Sequence, residues 1–391
     1  MRRLAALAAV LAVLAAACSS GGGTKTKTAA NRTTTSVAST APATSAASSA
    51  TLAGMPPLLD PNDVYAADRP GQLSPEVKDF RNLVYVPNSE SNTVDVIDPT
   101  TFKVVEHFAV GRQPQHVVPA YDLKTLYVTN DLGNTLTPID PRTGKPGPTL
   151  PVEDPYNMYF TPDGRFAIVV AERLQRLDFR DAHTMHLEKS VPVPCKGIDH
   201  MDFSADGRYL IASCEFAGAV LKVDVASQSV VGRLTLRNGG MPQDVKLSPD
   251  GKVFYVADQV AGGTFMVDGE SFKSLGFLPT GRGAHGLYIS RDSKFMYVSN
   301  RREGSISVVD LATRSVATTW HIPGGGSPDM GGVSADGKVL WLSGRYNSVV
   351  YAIDTATGGL IARIPVGRGP HGLCVYPQPG RYSLGHTGVF R

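Results

Sequence analysis

Four of the nine histidines in this 391-residue chain, His116, His200, His285 and His371, fall at one point of a recurring phrase, in company with Asp199, Asp244 and Asp329. Imidazole nitrogens and carboxylate oxygens are the donor atoms that hold zinc, copper and iron, so the group could bind a divalent metal. Arg112, Arg282 and Arg368 stand just ahead of this point, and Arg173, Arg301 and Arg345 follow one strand later. Guanidinium forks there would line a positive funnel suited to a carboxylate or phosphate. A third reading is structural. A repeat copies its consensus, and a histidine at the entrance to a strand can bond neighbouring backbone and do nothing more.

Other chemistries find less support. The chain has no Gly-x-Ser-x-Gly elbow and no local Ser–His–Asp grouping. Gly283, Gly286, Gly369 and Gly372 precede strands rather than a helix, so they are not a phosphate loop. The Gly239-Gly240 and Gly324-Gly325-Gly326 runs read as turns, and His183 and His186 as exposed. No basic run or aromatic–arginine stripe points to nucleic acid.

The elements that would position the cluster are short strands. An Asp closing a hydrophobic run recurs at Asp98, Asp140, Asp178, Asp224, Asp268, Asp310 and Asp354, at intervals of 42, 38, 46, 44, 42 and 44 residues. Each unit has an inner strand after a Gly/Pro loop, an Asp-Gly-type turn such as Pro162-Asp163-Gly164-Arg165, and a second strand such as LYVTN. Four strands per period of this length predict an all-β, seven-bladed β-propeller. The chain enters with a second-type strand at Leu83, so the phrase GRGPHGLCVYP at 367–377 should supply the missing inner strand of the first blade. That closure removes the open edge of a linear array. The remaining tail, RYSLGHTGVFR, is expected to lie across a face or the channel mouth.

Aligning the units puts two adjacent positions of each inner strand at the axial entrance. The first holds Gln115, Tyr156, Asp199, Gln243, His285, Asp329 and His371. The second holds His116, Asn157, His200, Asp244, Gly286, Met330 and Gly372. His116 and His200 are thus one residue out of step with His285 and His371. On a regular strand that would turn them to the opposite face, so all four meet only if the local geometry departs from a plain strand.

The second strands LVYVPN, LYVTN, FYVAD and MYVSN carry a family resemblance across about 80–376. The chain resembles the YVTN-repeat seven-bladed propellers of bacterial and archaeal surfaces and, more distantly, the haem-binding propeller of cytochrome-type nitrite reductases. That resemblance implies the fold and leaves function open, since such propellers host binding modules, lyases, lactonases and redox enzymes. No Cys-x-x-Cys-His motif is present for covalent haem.

The first 18 residues read as a lipoprotein signal peptide, with Arg2 and Arg3, an apolar stretch from Leu4 to Leu14, and Cys18 as the lipidation site. Residues 19–54 read as a disordered Ser/Thr/Ala-rich linker, whose reach as a coil would be roughly 30–36 Å. Residues 55–391 form the propeller domain. An exported domain sees oxidising conditions, so Cys195 and Cys214, flanking one hairpin, are a possible disulfide, and Cys374 reads as a buried thiol. Removing Arg2 and Arg3 with the signal takes the formal charge from +3 to about +1. The expectation is a monomer, lipid-anchored on the extracytoplasmic side of the cell membrane. It would bind a small anionic or metal-containing ligand, or an envelope protein, at the funnel. The alternative is a metal-dependent hydrolase, lyase or oxidase, with copper, zinc or iron in the His/Asp cluster.

Overall fold

The computed structural model describes residues 51–237, 240–386 and 389–391. The signal peptide, Cys18, the linker up to residue 50 and Gly239 lie outside the described residues. The linker's expected last residues, 51–54, are placed on the domain: Leu52 donates its N–H to Asp206 O at 2.8 Å and packs on the core.

Seven antiparallel sheets follow one another, and they are numbered here as blades in chain order. Blade 1 takes Leu83–Asn88, Thr93–Asp98 and Lys103–Ala109 and is completed on its inner side by Cys374–Tyr376. Leu83 faces Tyr376 and Tyr85 faces Cys374, so the predicted closure is present. Blades 2 to 7 begin at Pro114, Asn157, Ile198, Pro242, Ala284 and Pro328. Inner strands are buried throughout, whereas outermost strands such as Lys273–Pro279 are largely exposed. Apolar residues of adjacent blades interdigitate in one cluster after another, as where Val253 and Tyr255 of blade 5 meet Leu287 and Val298 of blade 6.

One repeat landmark is corrected. The third strand of blade 3 runs Arg176–Asp181, so the closing Asp of that blade is Asp181, and Asp178 lies mid-strand. Asp181 accepts from the N–H groups of His183 and Thr184, as Asp310 does from Thr313. This Asx turn starts the last hairpin of a blade. The uneven spacing around Asp178 came from choosing the wrong one of two Asp residues in RLDFRD.

The inner hairpins depart from a plain ladder at one point. In blade 2, Pro114 faces Asn130 but Val117 faces Val128, so three steps on one strand match two on the other. The same extra residue appears at 199–200, 243–244, 285–286 and 329–330. Such a bulge re-aims side chains and leaves ladder groups unpaired. In blades 2, 4, 6 and 7 a Thr or Ser of the second strand fills the gap. Thr129 Oγ1 accepts from His116 N–H at 3.0 Å and donates to Tyr156 O of the next blade at 3.0 Å. Ser299 does the same between Gly286 N–H and Asp329 O, and Ser213 accepts from His200 N–H. Past the bulge, the preceding blade supplies acceptors: Tyr159 Oη for Met201 N–H, Asp244 for Leu287 N–H, and Tyr288 Oη for Gly331 N–H.

The turn face of the ring, opposite these bulges, is covered by the N-terminal segment. Val64 N–H bonds Pro249 O, and Tyr65 Oη bonds Leu247 O. The tail enters at the same end. Ser383 bonds Tyr121 O and Pro119 O, while Arg391 is buried against Asp202 at 3.1 Å. The tail therefore fills the channel from the turn face instead of lying across a mouth.

Thr129→Val keeps the side-chain shape but orphans the His116 N–H and the Tyr156 carbonyl inside the ring. The expected loss is about 1–3 kcal/mol in a denaturant titration, and an unchanged midpoint would show that the hydroxyl does not join the blades.

Candidate functional site

The bulge settles the register question. Both of its positions turn toward the axis, so His116 and His200 from the second position meet His285 and His371 from the first. Ring centroids are 5.3 Å apart for His116–His200, 4.9 Å for His116–His371, 6.3 Å for His200–His285 and 5.8 Å for His285–His371. A fifth ring, His386 of the tail, sits 4.6 Å from His200 and 5.1 Å from His116. All five are buried, so they do not face a solvent-filled funnel. Burial depresses the basicity of each, helped by Lys246 for His200, by Arg301 for His285, by Arg345 and Arg301 for His371 and by neighbouring rings for His116 and His386; His200 goes down to about 3, and the imidazoles are neutral at neutral pH.

Asp329 organises one side of this cluster. His371 Nδ1 lies 2.8 Å from its Oδ2, His285 Nδ1 3.4 Å and Arg301 Nη1 3.0 Å from its Oδ1, and Arg345 Nη1 3.9 Å from its Oδ2. Burial alone would raise its pKa, but Arg301, His285 and Arg345 hold it below the ordinary carboxylate value. Arg301 also reaches Gln259 Oε1 at 2.7 Å.

The opposite side is acidic and less satisfied. Asp199 Oδ1 lies 3.2 Å from His200 Nε2, and the Tyr156 side chain stands beside the same carboxylate. Burial first, then the neighbouring Glu215 and Glu172, push its pKa well up. Glu172 is itself pushed up to about 7 by burial and by Glu215. Asp244 differs again: its oxygens accept from Val245 and Leu287 N–H, so it serves the backbone, with His386 Nε2 3.6 Å away.

The funnel's charge is thus not uniformly positive. The residues directly after the second strands are Ser89, Asp131, Glu172, Glu215, Gln259, Arg301 and Arg345 in blade order. Blades 2 to 4 are acidic there and blades 6 and 7 basic. Arg173 lies one place further on and pairs with Asp154 at 2.7 Å. Arg112, Arg282 and Arg368 are exposed on the surrounding loops and do not reach the axis. Sequence reasoning missed His386, Asn157 as a bonding partner, and the Glu172–Glu215 pair. The glutamates were findable, because they occupy the register of Arg301 and Arg345. His386 was not, because it lies outside the repeat.

The Cys195–Cys214 disulfide is formed and flanks the strand pair that carries Asp199, His200 and Ser213, while Cys374 is buried. Gly372 is required by contact. A Cβ there would fall 2.0 Å from His116 Nδ1. His183 and His186 are exposed, as expected.

Comparison with known proteins places these features in a family. The model of a YNCE-like beta-propeller family matches residues 46–379. YncE of Salmonella typhi is 21% identical over 288 residues, covering 68% of this chain and 80% of that protein. Among solved structures, Kuenenia stuttgartiensis hydrazine synthase aligns with a TM-score of 0.63 at 21% identity, over 70% of this chain and 93% of that one. Dihydro-heme d1 dehydrogenase NirN, solved in complex with DHE, aligns with a TM-score of 0.59 at 19% identity, over 82% and 78%. At these identities the structural likeness establishes the fold.

Arg301→Ala would leave Asp329 buried without its closest cation. A loss of about 3–5 kcal/mol is expected on breaking such a pair, read as a fall in denaturant midpoint. A change under about 0.5 kcal/mol, of surface-mutation size, would show that Asp329 is solvated instead.

Proposed function

Because the chain belongs to the YNCE-like beta-propeller family, whose fold converges seven blades on one axis, we propose that it is a binding protein for a small anionic ligand at the bulged end of that axis. The observation that carries this reading is a set of buried polar atoms there without hydrogen bonds among the described residues. Arg345 Nη1, Arg301 Nε and Gln115 Oε1 are three of them. A buried polar group left unpaired costs about 1–3 kcal/mol, so several on one axis favour a polar guest. Arg345, partly exposed above the buried Asp329, is the cation placed to meet a carboxylate or phosphate. The neutral forms of Glu172 and Asp199 could donate hydrogen bonds from the other side.

The residues do not fit a haem. The axial histidines crowd one another edge-to-face and tilted at 4.6–5.3 Å, and polar groups such as Arg301, Arg345 and Glu215 surround them, so the described residues offer no apolar slot for a macrocycle. A metal-dependent hydrolase, lyase or oxidase would need its substrate to reach the cluster, and all five rings are buried. A protein partner is a second reading with its own support. Phe216, Val260 and Tyr346 occupy the same loop position of blades 4, 5 and 7 and are exposed by 59%, 56% and 67%, forming an apolar rim around the axis. In this reading the molecule is a monomer tethered through lipidated Cys18 outside the cell membrane, and its binding end stays free. No described helix is long and apolar enough to cross a membrane.

Calorimetric titration with a panel of small carboxylates and phosphates tests the proposal. Binding by wild type that weakens at least about tenfold in Arg345→Ala supports it. No binding across the panel, or binding indifferent to Arg345, overturns it. The pH dependence has a definite sign. Glu172 is neutral below about 7 and anionic above it, so affinity for an anion should fall as pH rises through that value, by about three-fold. Glu172→Gln should flatten the profile.

A further inference from the structure

Beneath the proposed anion site, and resting on the reading that this axis is the working part of the molecule, lies a group of three buried histidines with converging donor atoms. We propose that His116, His200 and His386 form a transition-metal site for zinc(II) or copper(II), with the C-terminal tail supplying the third ligand. One nitrogen from each lies within 4.8 Å of the others. A tetrahedral ion with bonds of about 2.0–2.1 Å needs neighbouring nitrogens about 3.4 Å apart, so ring movements of about 1 Å would complete the site.

Two observations point to a ligand rather than to packed aromatic rings. His116 is fully buried and neither of its ring nitrogens has a hydrogen bond among the described residues. Buried polar groups are seldom left so, and one that is calls for an ion or water. The second observation concerns ring orientation. His200 Nε2 is 3.2 Å from Asp199 Oδ1, and His386 Nε2 is 3.6 Å from Asp244 Oδ1. Both are close contacts rather than hydrogen bonds, and a carboxylate so placed can take the N–H of one ring nitrogen when the other binds a metal. The remaining nitrogens, Nδ1 of His200 and Nδ1 of His386, both point at one atom, Asn157 Nδ2, each at 3.0 Å. Nδ1 of two rings and the His116 ring therefore converge around the Asn157 N–H₂ group. An all-imidazole donor set selects zinc or copper over calcium or magnesium. The positive φ of 30° at His386 and its N–H bond to Met158 O hold the tail residue in place beneath the ring.

The test is equilibrium dialysis of the full-length protein against zinc(II) or, separately, copper(II), with metal content read by mass spectrometry. One equivalent retained by wild type, with affinity at least about 100-fold lower in both His116→Ala and His386→Ala, is expected. Loss of a carboxylate behind a ligand, Asp199→Asn, should weaken it about 10–100-fold. Asn157→Ala removes the competing amide and should tighten binding; a weakening would place the ion elsewhere and overturn the assignment. X-ray absorption of the loaded wild type, which needs no variant to fold, should show a nitrogen first shell with imidazole scattering. Absence of retained metal in wild type, or retention unchanged in His386→Ala, overturns the site. The two readings fail separately: carboxylate binding without metal leaves the anion site standing, and metal retention in Arg345→Ala leaves the metal site standing.

Discussion

The one extra residue at the axial end of the inner strands is the constraint on which the rest of the structure depends. A strand in register can turn only every second side chain inward. The bulge turns two successive ones inward, and so puts His116 and His371 within 4.9 Å although they sit at different positions of the repeat. It also breaks the ladder, and the broken groups must be satisfied in a place without water. The Thr and Ser of the second strands, and the Tyr or Asp of neighbouring inner strands, do so across the blade boundaries. The bonds that repair the bulge are therefore the ones that join blade to blade, and axial site and ring integrity share one set of contacts.

That coupling explains what was legible in the chain. The alternation of strands, the Asp-Gly turns and the closing phrase at 367–377 are local or periodic signals, and they led to the correct number of blades and the correct closure. The Thr of LYVTN was visible as a motif, but its role required knowing that Tyr156 O of the next blade lies 3.0 Å away. The four histidines were found because they fall at two adjacent positions of the repeat. Their burial was not, because it depends on how closely seven inner strands approach and on a tail that obeys no period. Asp178 misled for a related reason: composition offered two Asp residues three apart in RLDFRD, and only strand pairing with Leu187–Pro192 distinguishes them.

Charge around the axis is arranged by blade, with a different physical outcome on each side. Asp329 on the basic side is fully buried yet stays anionic, because two guanidiniums and two imidazoles surround it. Asp199 on the acidic side is equally buried and is driven toward its neutral form. The same side chain at the same station thus stays a fixed charge in one blade and is driven toward neutrality in another. Copying the repeat supplied the positions, and divergence at the residue after each second strand supplied the difference.

The order of the chain adds a last constraint. His371 precedes the closing strand and His386 follows it, so both join the axis only after the final blade has returned to the first. The inner strands of blades 1 and 2 are then tied directly, Val117 N–H to Gly372 O and Gly372 N–H to Gln115 O. These contacts span more than 250 residues of sequence, and loop-closure entropy must be met before they stabilise anything. An incompletely closed ring would therefore hold His116 and His200 without His371 or His386, which leaves Asp329 without its closest imidazole partner and His200 without its tail neighbour. The full axial cluster is a property of the closed ring, assembled by the last twenty-odd residues of the chain.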